Sequence, residues 1–220
     1  MRSLRLLLLC LTMLALTAPA AHAERWHGRD ASGDVRSFQV DLGDSPCVTV
    51  TGGDRVPGDR RRDLTRLTVD HGSDVITVDL ALRDVAKRDR DTSYEAVIRT
   101  PAQLYLLAVY SGPHVHRVVD FQSARVRHDH DGCFFLGVHD RACEGLDVLP
   151  DPSADLLTVQ VPRTCLGTPR WVRVGASAGA LTSSRPGSST VIRVEGDSWG
   201  SRDEDLFKGL PQLSPRVRAG

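Results

Sequence analysis

The sequence predicts an all-β protein, a two-sheet antiparallel sandwich of jelly-roll type with one short C-terminal helix. Apolar and polar residues alternate along short segments such as 76–82, which is the period of a half-buried strand. These segments recur at short, regular spacing with turn residues between them, as expected for a sandwich. Helical periodicity, by contrast, is scarce along the chain.

The first strands follow directly from this alternation. Residues 64–70 and 76–82 flank the turn-forming sequence His71-Gly72-Ser73-Asp74, so 64–82 is predicted to be a hairpin. The segment 104–110 is apolar on both faces and is therefore predicted to be a central strand, with Pro101 in the turn before it. The remaining predicted strands are 36–42, 48–51, 95–100, 115–121, 124–128, 134–138, 156–161 and 171–176.

Two short segments carry helical signals. Ser201 and Glu204 form a capping box ahead of Leu206 and Phe207, which predicts the single C-terminal helix. Residues 84–91 are a second candidate. The run 183–190 is rich in Ser, Pro and Gly, so the C-terminal tail is predicted to be loop-rich from about residue 183.

Composition and charge limit the partners. The 220 residues carry 28 basic and 28 acidic side chains, which is typical of a soluble globular chain. Arg and Asp are interleaved throughout, and Asp59 and Asp63 flank the triplet Arg60-Arg61-Arg62. No basic face is therefore predicted, and nucleic acid is not an expected partner.

The first 23 residues match an export signal. Arg2 and Arg5 precede an apolar run at 6–16, and Ala21-His22-Ala23 fits a cleavage site. We therefore expect a secreted chain whose residues 24–220 form a single domain. The apolar run is shorter than the roughly 20 residues needed to span a bilayer, and nothing after it could span one.

Four cysteines remain after that leader, and an even number in an exported chain predicts two disulfides. Three pairings are open. We favour Cys133 with Cys143, which would clip a hairpin, and Cys47 with Cys165, which would join the first third of the fold to the last.

The histidines suggest a metal hypothesis. His114 and His116 form one H-x-H pair, and His128 and His130 form another. Residues i and i+2 share a face of a strand, so two neighbouring strands could bring four imidazoles to one zinc or copper ion. The simpler interpretation is that these are solvated histidines at turns, and no cofactor is our first expectation.

The polar turn at 128–132 partly matches a calcium-binding loop. Asp129, Asp131 and Gly132 match part of a calcium-binding loop, but Arg127 and Val138 occupy the first and last ligand positions. An EF-hand is therefore excluded, and only an adventitious calcium site at an ordinary turn is left open.

Two serine motifs lack the context that catalysis requires. Residues 175–179 match G-x-S-x-G around Ser177, but no histidine follows and Pro186 interrupts the helix that should come next. Ser198 lies in a sequence similar to that around a protease serine, but too little chain follows to complete such a fold. No catalytic residue is assigned.

Aromatic side chains bear on sugar binding, because sugars stack on exposed aromatic rings. Most rings fall in strand patterns and are expected in the core. Trp26, Tyr94 and Trp199 are left as candidate exposed platforms.

Two segments carry a resemblance. The stretches 161–175 (VPRTCLGTPRWVRVG) and 213–220 resemble a group of uncharacterised exported β-sandwich proteins of GC-rich bacteria, which implies no known activity. The strand succession at 155–175 is more distantly similar to carbohydrate-binding sandwiches of the DOMON and family-nine type.

Together these features predict a secreted, non-catalytic extracellular or cell-envelope binding module. Its ligand is open, and the second resemblance suggests a carbohydrate. A metal-dependent secreted enzyme using the four histidines and a structural envelope protein are the alternatives.

Overall fold

A computed structural model describes residues 23–41, 49–85, 92–112, 115–128, 134–184, 191–200 and 210–220. The described strands, in chain order, are β1 (Glu24–Arg29), β2 (Arg36–Asp41), β3 (Thr49–Arg55), β4 (Leu64–His71), β5 (Val75–Leu82), β6 (Ser93–Arg99), β7 (Leu104–Gly112), β8 (Val115–His128), β9 (Phe134–Asp140), β10 (Asp147–Asp151), β11 (Leu156–Pro162), β12 (Trp171–Ser184), β13 (Val191–Ser198) and β14 (Val217–Arg218).

The strands form two antiparallel sheets, which confirms the predicted all-β sandwich. The first sheet has the order β1-β4-β5-β11-β10, and the second has the order β3-β2-β13-β12-β6-β7-β8-β9, with β14 also paired to β12. The helix predicted from Ser201 lies outside the described residues, as does most of the candidate at 84–91.

Alternating apolar residues of both sheets meet in one core. The predicted hairpin at 64–82 is confirmed, with Val69 opposite Val78 and a turn closed by a hydrogen bond from Gly72 N to Val75 O of 3.0 Å. Val69 and Val78 are fully buried and share the core with Ile98 and Val174 of the second sheet. Burial of such side chains stabilises the fold by about 1.5–3 kcal/mol each.

Three differences from the predicted strands have local causes. The segments 115–121 and 124–128 form one strand, β8, because Gln122 and Ser123 continue the pairing with β7 and do not turn. Strand β10 was missed because Pro150 breaks its pattern. Strand β13 lies inside the tail predicted to be loop-rich, where Gly196 and polar residues obscure the alternation.

The predicted disulfide pairing is wrong. Cys143 is bonded to Cys165, with an S–S distance of 2.06 Å. Asp147 of β10 pairs with Gln160 of β11, so residues just before β10 and just after β11 meet at the open end of this hairpin. Neither Cys133–Cys143 nor Cys47–Cys165 can coexist with that bond. Cys47 and Cys133 lie outside the described residues.

The C-terminal segment 210–220 packs along β12. Ser214 N donates to Val174 O at 2.8 Å, and Val174 N donates to the Ser214 hydroxyl at 2.9 Å. Gly175 allows this close approach, because a Cβ there would lie 2.7 Å from the carbonyl oxygen of Gln212. The chain terminus is thereby held against the start of β12.

His71 supports the same segment from the first sheet. Its buried imidazole donates from Nδ1 to the Val217 carbonyl at 3.0 Å, while Nε2 is buried and has no partner in the described ranges. Burial lowers the pKa of His71, the nearby charge of Arg163 lowers it further, and Val217, Asp70 and Glu24 raise it. The neutral ring is therefore the form that fits the fold.

We expect His71 to make the protein less stable in acid. As pH falls below about 6.5, the unfolded chain binds a proton on His71 that the folded chain does not, so the free energy of unfolding falls by up to about 1.4 kcal/mol per pH unit. The measurement is urea denaturation between pH 5 and pH 8 for the wild type and for His71→Asn, whose amide can donate in place of Nδ1. A stability difference that does not change with pH would contradict the expectation.

Candidate functional site

The three predicted aromatic platforms form part of the packed interior. Tyr94 and Trp199 are each only 6% exposed, which makes the prediction wrong for both. Trp26 is half-buried and meets Trp199 edge to face, with ring centroids 5.2 Å apart. The reason is Gly28: a Cβ there would lie 2.5 Å from the Trp199 ring, so its absence lets that ring lie on β1.

His116 and His128, the two predicted histidine ligands that the structure describes, cannot share one ion. His116 and His128 belong to the same strand, β8, and are separated by most of its length. At about 3.3 Å per residue, twelve residues place their backbones roughly 40 Å apart. The metal hypothesis required His116 and His128 to lie on neighbouring strands, and they lie on one strand. His114 and His130 lie outside the described residues, as do Asp129, Asp131 and Gly132 of the calcium-like turn.

The serine motifs have no catalytic geometry. Residues 175–179 run through the middle of β12, so Ser177 is not on the strand-to-helix turn that a nucleophile elbow needs. Ser198 is buried at the end of β13, and its hydroxyl donates to the Ala176 carbonyl at 3.4 Å.

The structure instead brings together three carboxylates that the sequence did not single out. Asp34, Asp63 and Asp197, the acidic junction, each offer an oxygen within 4.8 Å of the others. Asp34 lies in the loop from β1 to β2, Asp63 directly precedes β4, and Asp197 is on β13. The acidic junction therefore lies where the first sheet meets the second.

Backbone amides hold two of these side chains in place. Asp197 accepts from Leu64 N at 2.8 Å and from Ser198 N at 2.7 Å, which ties β4 of one sheet to β13 of the other. Asp63 accepts from Gly33 N at 2.8 Å through Oδ2. The loop carrying Asp34 is thus fixed to the start of β4.

Arg83 supplies a positive charge at this site. Its Nη1 lies 2.9 Å from Asp63 Oδ2, forming an ion pair with a fully buried carboxylate. Asp30 lies beside the junction and accepts from Ala31 N at 3.0 Å and from Gly200 N at 3.1 Å. Four carboxyl groups therefore share a small volume.

Burial and crowding raise the pKa values of three of these carboxyl groups. Burial, followed by the charges of Asp34 and Asp30, raises the pKa of Asp197 to about 8. Burial also raises the pKa of Asp30 to about 6. Burial raises the pKa of Asp34 as well, and the charges of Arg55 and Arg36 act in the opposite direction. The site as it stands disfavours full ionisation, so it requires either protons or a cation.

Burial also limits the chemistry that the acidic junction can perform. Asp63 is 0% and Asp197 1% exposed, and both Asp197 oxygens already accept hydrogen bonds. A polymeric substrate cannot reach these carboxylates to be protonated or attacked. Oxygen ligation of a hard cation is the chemistry that such a site supports.

A polar groove lies close by, on the second sheet. It has a volume of about 440 Å³, within the ordinary range for ligand sites. Its lining residues are Ser37, Gln39, Thr51, Gly52, Asp54, Arg55, Val56, Pro57 and Arg193.

A bulge in β3 shapes this groove. Ser37 pairs with Asp54 and Phe38 pairs with Gly52, so Gly53 is the extra residue. Gly52 has a φ of 107°, and a Cβ on it would lie 2.9 Å from Ser37 O. Bulges re-aim side chains at sheet edges and next to binding sites, and β3 is the edge strand of this sheet.

The sequence carries a signal for the groove but none for the acidic junction. The Gly52-Gly53 pair inside an alternating strand is a bulge signal that could have indicated the groove. The acidic junction had no such signal, because its members come from distant segments and are three among 23 Asp residues.

Comparisons with protein-family models, with curated proteins and with solved structures found no match to this chain. Among the residues that the structure describes, no helix combines the length and the apolar character needed to cross a membrane.

Proposed function

We propose that this protein is an exported, non-catalytic binding module that holds a polar cell-envelope polysaccharide in the groove beside β2 and β3. The observation that carries this proposal is the groove itself, a concave surface lined mainly by polar side chains on a rigid sheet. Convergent polar groups in a preformed concavity are the usual basis of a ligand site.

The strand register presents these groups together. Gln39 pairs with Thr51 on one side and with Arg193 on the other, so the three side chains form a row across β3, β2 and β13. Phe38 and Val40, which alternate with them, are buried in the core. The polar face of these strands therefore faces solvent, while the buried side chains of the opposite face hold the strands in place.

The chemistry of the lining favours a ligand rich in hydroxyl groups. Amide, hydroxyl, carboxylate and guanidinium groups offer both donors and acceptors. Arg193 donates to Ser37 Oγ at 2.9 Å and pairs with Glu195 at 3.2 Å, so its guanidinium is already oriented. Recognition would then rest on hydrogen bonds and not on stacking, in keeping with the buried Trp199 and Tyr94. The resemblance of 155–175 to carbohydrate-binding sandwiches points to the same ligand class.

Export is supported by the disulfide. Bonds such as Cys143–Cys165 persist in oxidising compartments and are rare in the cytosol. The leader-like residues 1–23 agree with that location, and we propose that the mature chain acts outside the cytoplasm.

A binding assay tests this function. The protein is titrated with a panel of soluble bacterial and plant cell-wall polysaccharides by microcalorimetry, beside the double variant Gln39→Ala/Arg55→Ala. We expect at least one polysaccharide to bind with a Kd below 1 mM, and the groove variant to bind it at least about tenfold more weakly, as expected when charged and amide hydrogen bonds are lost.

A matched variant controls for general effects. Gln160→Ala/Arg141→Ala changes the same residue types away from the groove and should leave binding unaltered. The proposal fails if no polysaccharide binds below 1 mM, or if the groove variant binds as tightly as the control.

A further inference from the structure

The acidic junction contains two oxygens that none of the described residues satisfies. Within that part of the chain, Oδ1 of Asp63 is buried without a hydrogen-bond donor, and so is Oδ1 of Asp34. Asp63 is fully buried, and an unpaired oxygen on a buried carboxylate costs free energy comparable to a lost hydrogen bond or more. Two of the three junction carboxylates thus have an oxygen still available to a positive ligand.

The neighbouring cations leave those oxygens open. Arg83 contacts Asp63 through Oδ2 and not through Oδ1. Like-charged carboxylates at this spacing repel one another. Arg83 pairs with Asp63, and the charges of Arg55 and Arg36 act on Asp34, but in the described part of the chain none of these cations donates a hydrogen bond to either Oδ1 atom. Both Oδ1 atoms are therefore open to a further positive charge.

We propose that Asp34, Asp63 and Asp197 bind one calcium ion between the two sheets. Two oxygens bound to one Ca²⁺ at about 2.4 Å can be at most about 4.8 Å apart, and the three junction oxygens satisfy this limit. The two buried, unpaired oxygens are the second observation, independent of the clustering.

The ligand set favours calcium over other ions. Carboxylate oxygens alone, without Cys or His among the three residues, suit a hard cation and not zinc or copper. Calcium accepts an irregular shell that water and carbonyl oxygens can complete, whereas Mg²⁺ requires near-ideal octahedral geometry and loses its waters reluctantly.

Calcium at this site would stabilise the packing of the two sheets and would not act on a substrate. It would join the β1–β2 loop, the start of β4 and the end of β13, and β2 and β13 also carry the polar groove. The ion would stabilise the sheet junction whether or not a polysaccharide binds, so this inference does not depend on the proposed function.

Calcium binding is tested on the full mature chain after dialysis against EDTA. The protein is titrated with CaCl₂ and with MgCl₂ by calorimetry, and its thermal unfolding is followed with and without each salt. We expect one equivalent of Ca²⁺ to bind, and the Tm to rise by about 5–10 °C at a hundredfold excess over Kd. Mg²⁺ should bind at least tenfold more weakly.

Asp34→Asn is the decisive variant, because Asp34 is half-buried and its Oδ1 accepts no hydrogen bond from any residue that the structure describes. It should bind Ca²⁺ at least tenfold more weakly and, at the same CaCl₂ concentration, lose about half or more of the rise in Tm. Asp120→Asn removes an exposed carboxylate on β8 and should behave as the wild type does.

Three outcomes would overturn the proposal. They are no calcium uptake by the wild type at millimolar CaCl₂, equal affinity for Mg²⁺, and unchanged calcium affinity in Asp34→Asn. If Asp34→Asn does not fold, the wild-type titration alone decides between uptake and no uptake.

Discussion

Trp199→Ala is expected to lower the free energy of unfolding by about 3–5 kcal/mol, the usual cost of deleting a large buried aromatic side chain. Trp199 is 6% exposed and lies in the shared core, edge to face with Trp26. Its removal would leave a cavity between β1 and the end of β13 that rigid strands cannot fill. Guanidinium chloride denaturation followed by far-ultraviolet circular dichroism measures the loss.

Two companion variants separate packing from ligand contact. Trp199→Phe keeps an aromatic ring and deletes an indole N–H that has no partner among the described residues, so it should lose clearly less stability than Trp199→Ala. Trp26→Ala, at a half-buried position, should also lose less. If Trp199→Ala instead stayed within about 0.5 kcal/mol of wild type, as exposed substitutions do, the residue would be a surface platform after all.

Removing the Cys143–Cys165 bond is expected to cost about 3 kcal/mol. The two residues are separated by 22 positions, and in the chain-entropy model a cross-link closing a loop of this length destabilises the unfolded chain by about that amount. The double variant Cys143→Ala/Cys165→Ala, compared with the oxidised wild type in denaturant, gives the value.

A peptide map distinguishes this bond from the pairing predicted from the sequence. Proteolysis without reduction should release one linked pair of peptides containing Cys143 and Cys165. A map that links Cys133 to Cys143, or a double variant as stable as the wild type, would contradict the structure.

The fold could be predicted from the sequence because the pattern that marks each strand is local. Alternation along 64–82 needs only neighbouring residues, and the hairpin it predicts is the one observed. Strand ends and weakly patterned strands were harder to predict, because Pro150 in β10 and Gly196 in β13 interrupt the alternation of apolar and polar residues that marks a strand. The disulfide was mispaired for the same reason, because β10 was not recognised as the partner of β11.

The sites were much harder to predict from the sequence, because each depends on residues far apart in the chain. Asp63 and Asp197 meet only once β4 and β13 are placed in opposite sheets. Trp199 looked like an exposed platform because nothing near it in sequence shows that Gly28 makes room for its ring. The histidine hypothesis needed two neighbouring strands, but the segments that carry His116 and His128 form one long strand.

The most direct test of the account is anomalous diffraction from a crystal grown with calcium. We expect one peak within about 2.6 Å of carboxylate oxygens from Asp34, Asp63 and Asp197, at the junction of the two sheets. A junction without such a peak, with its carboxyl groups hydrogen-bonded to one another and calcium only on the outer surface, would contradict it.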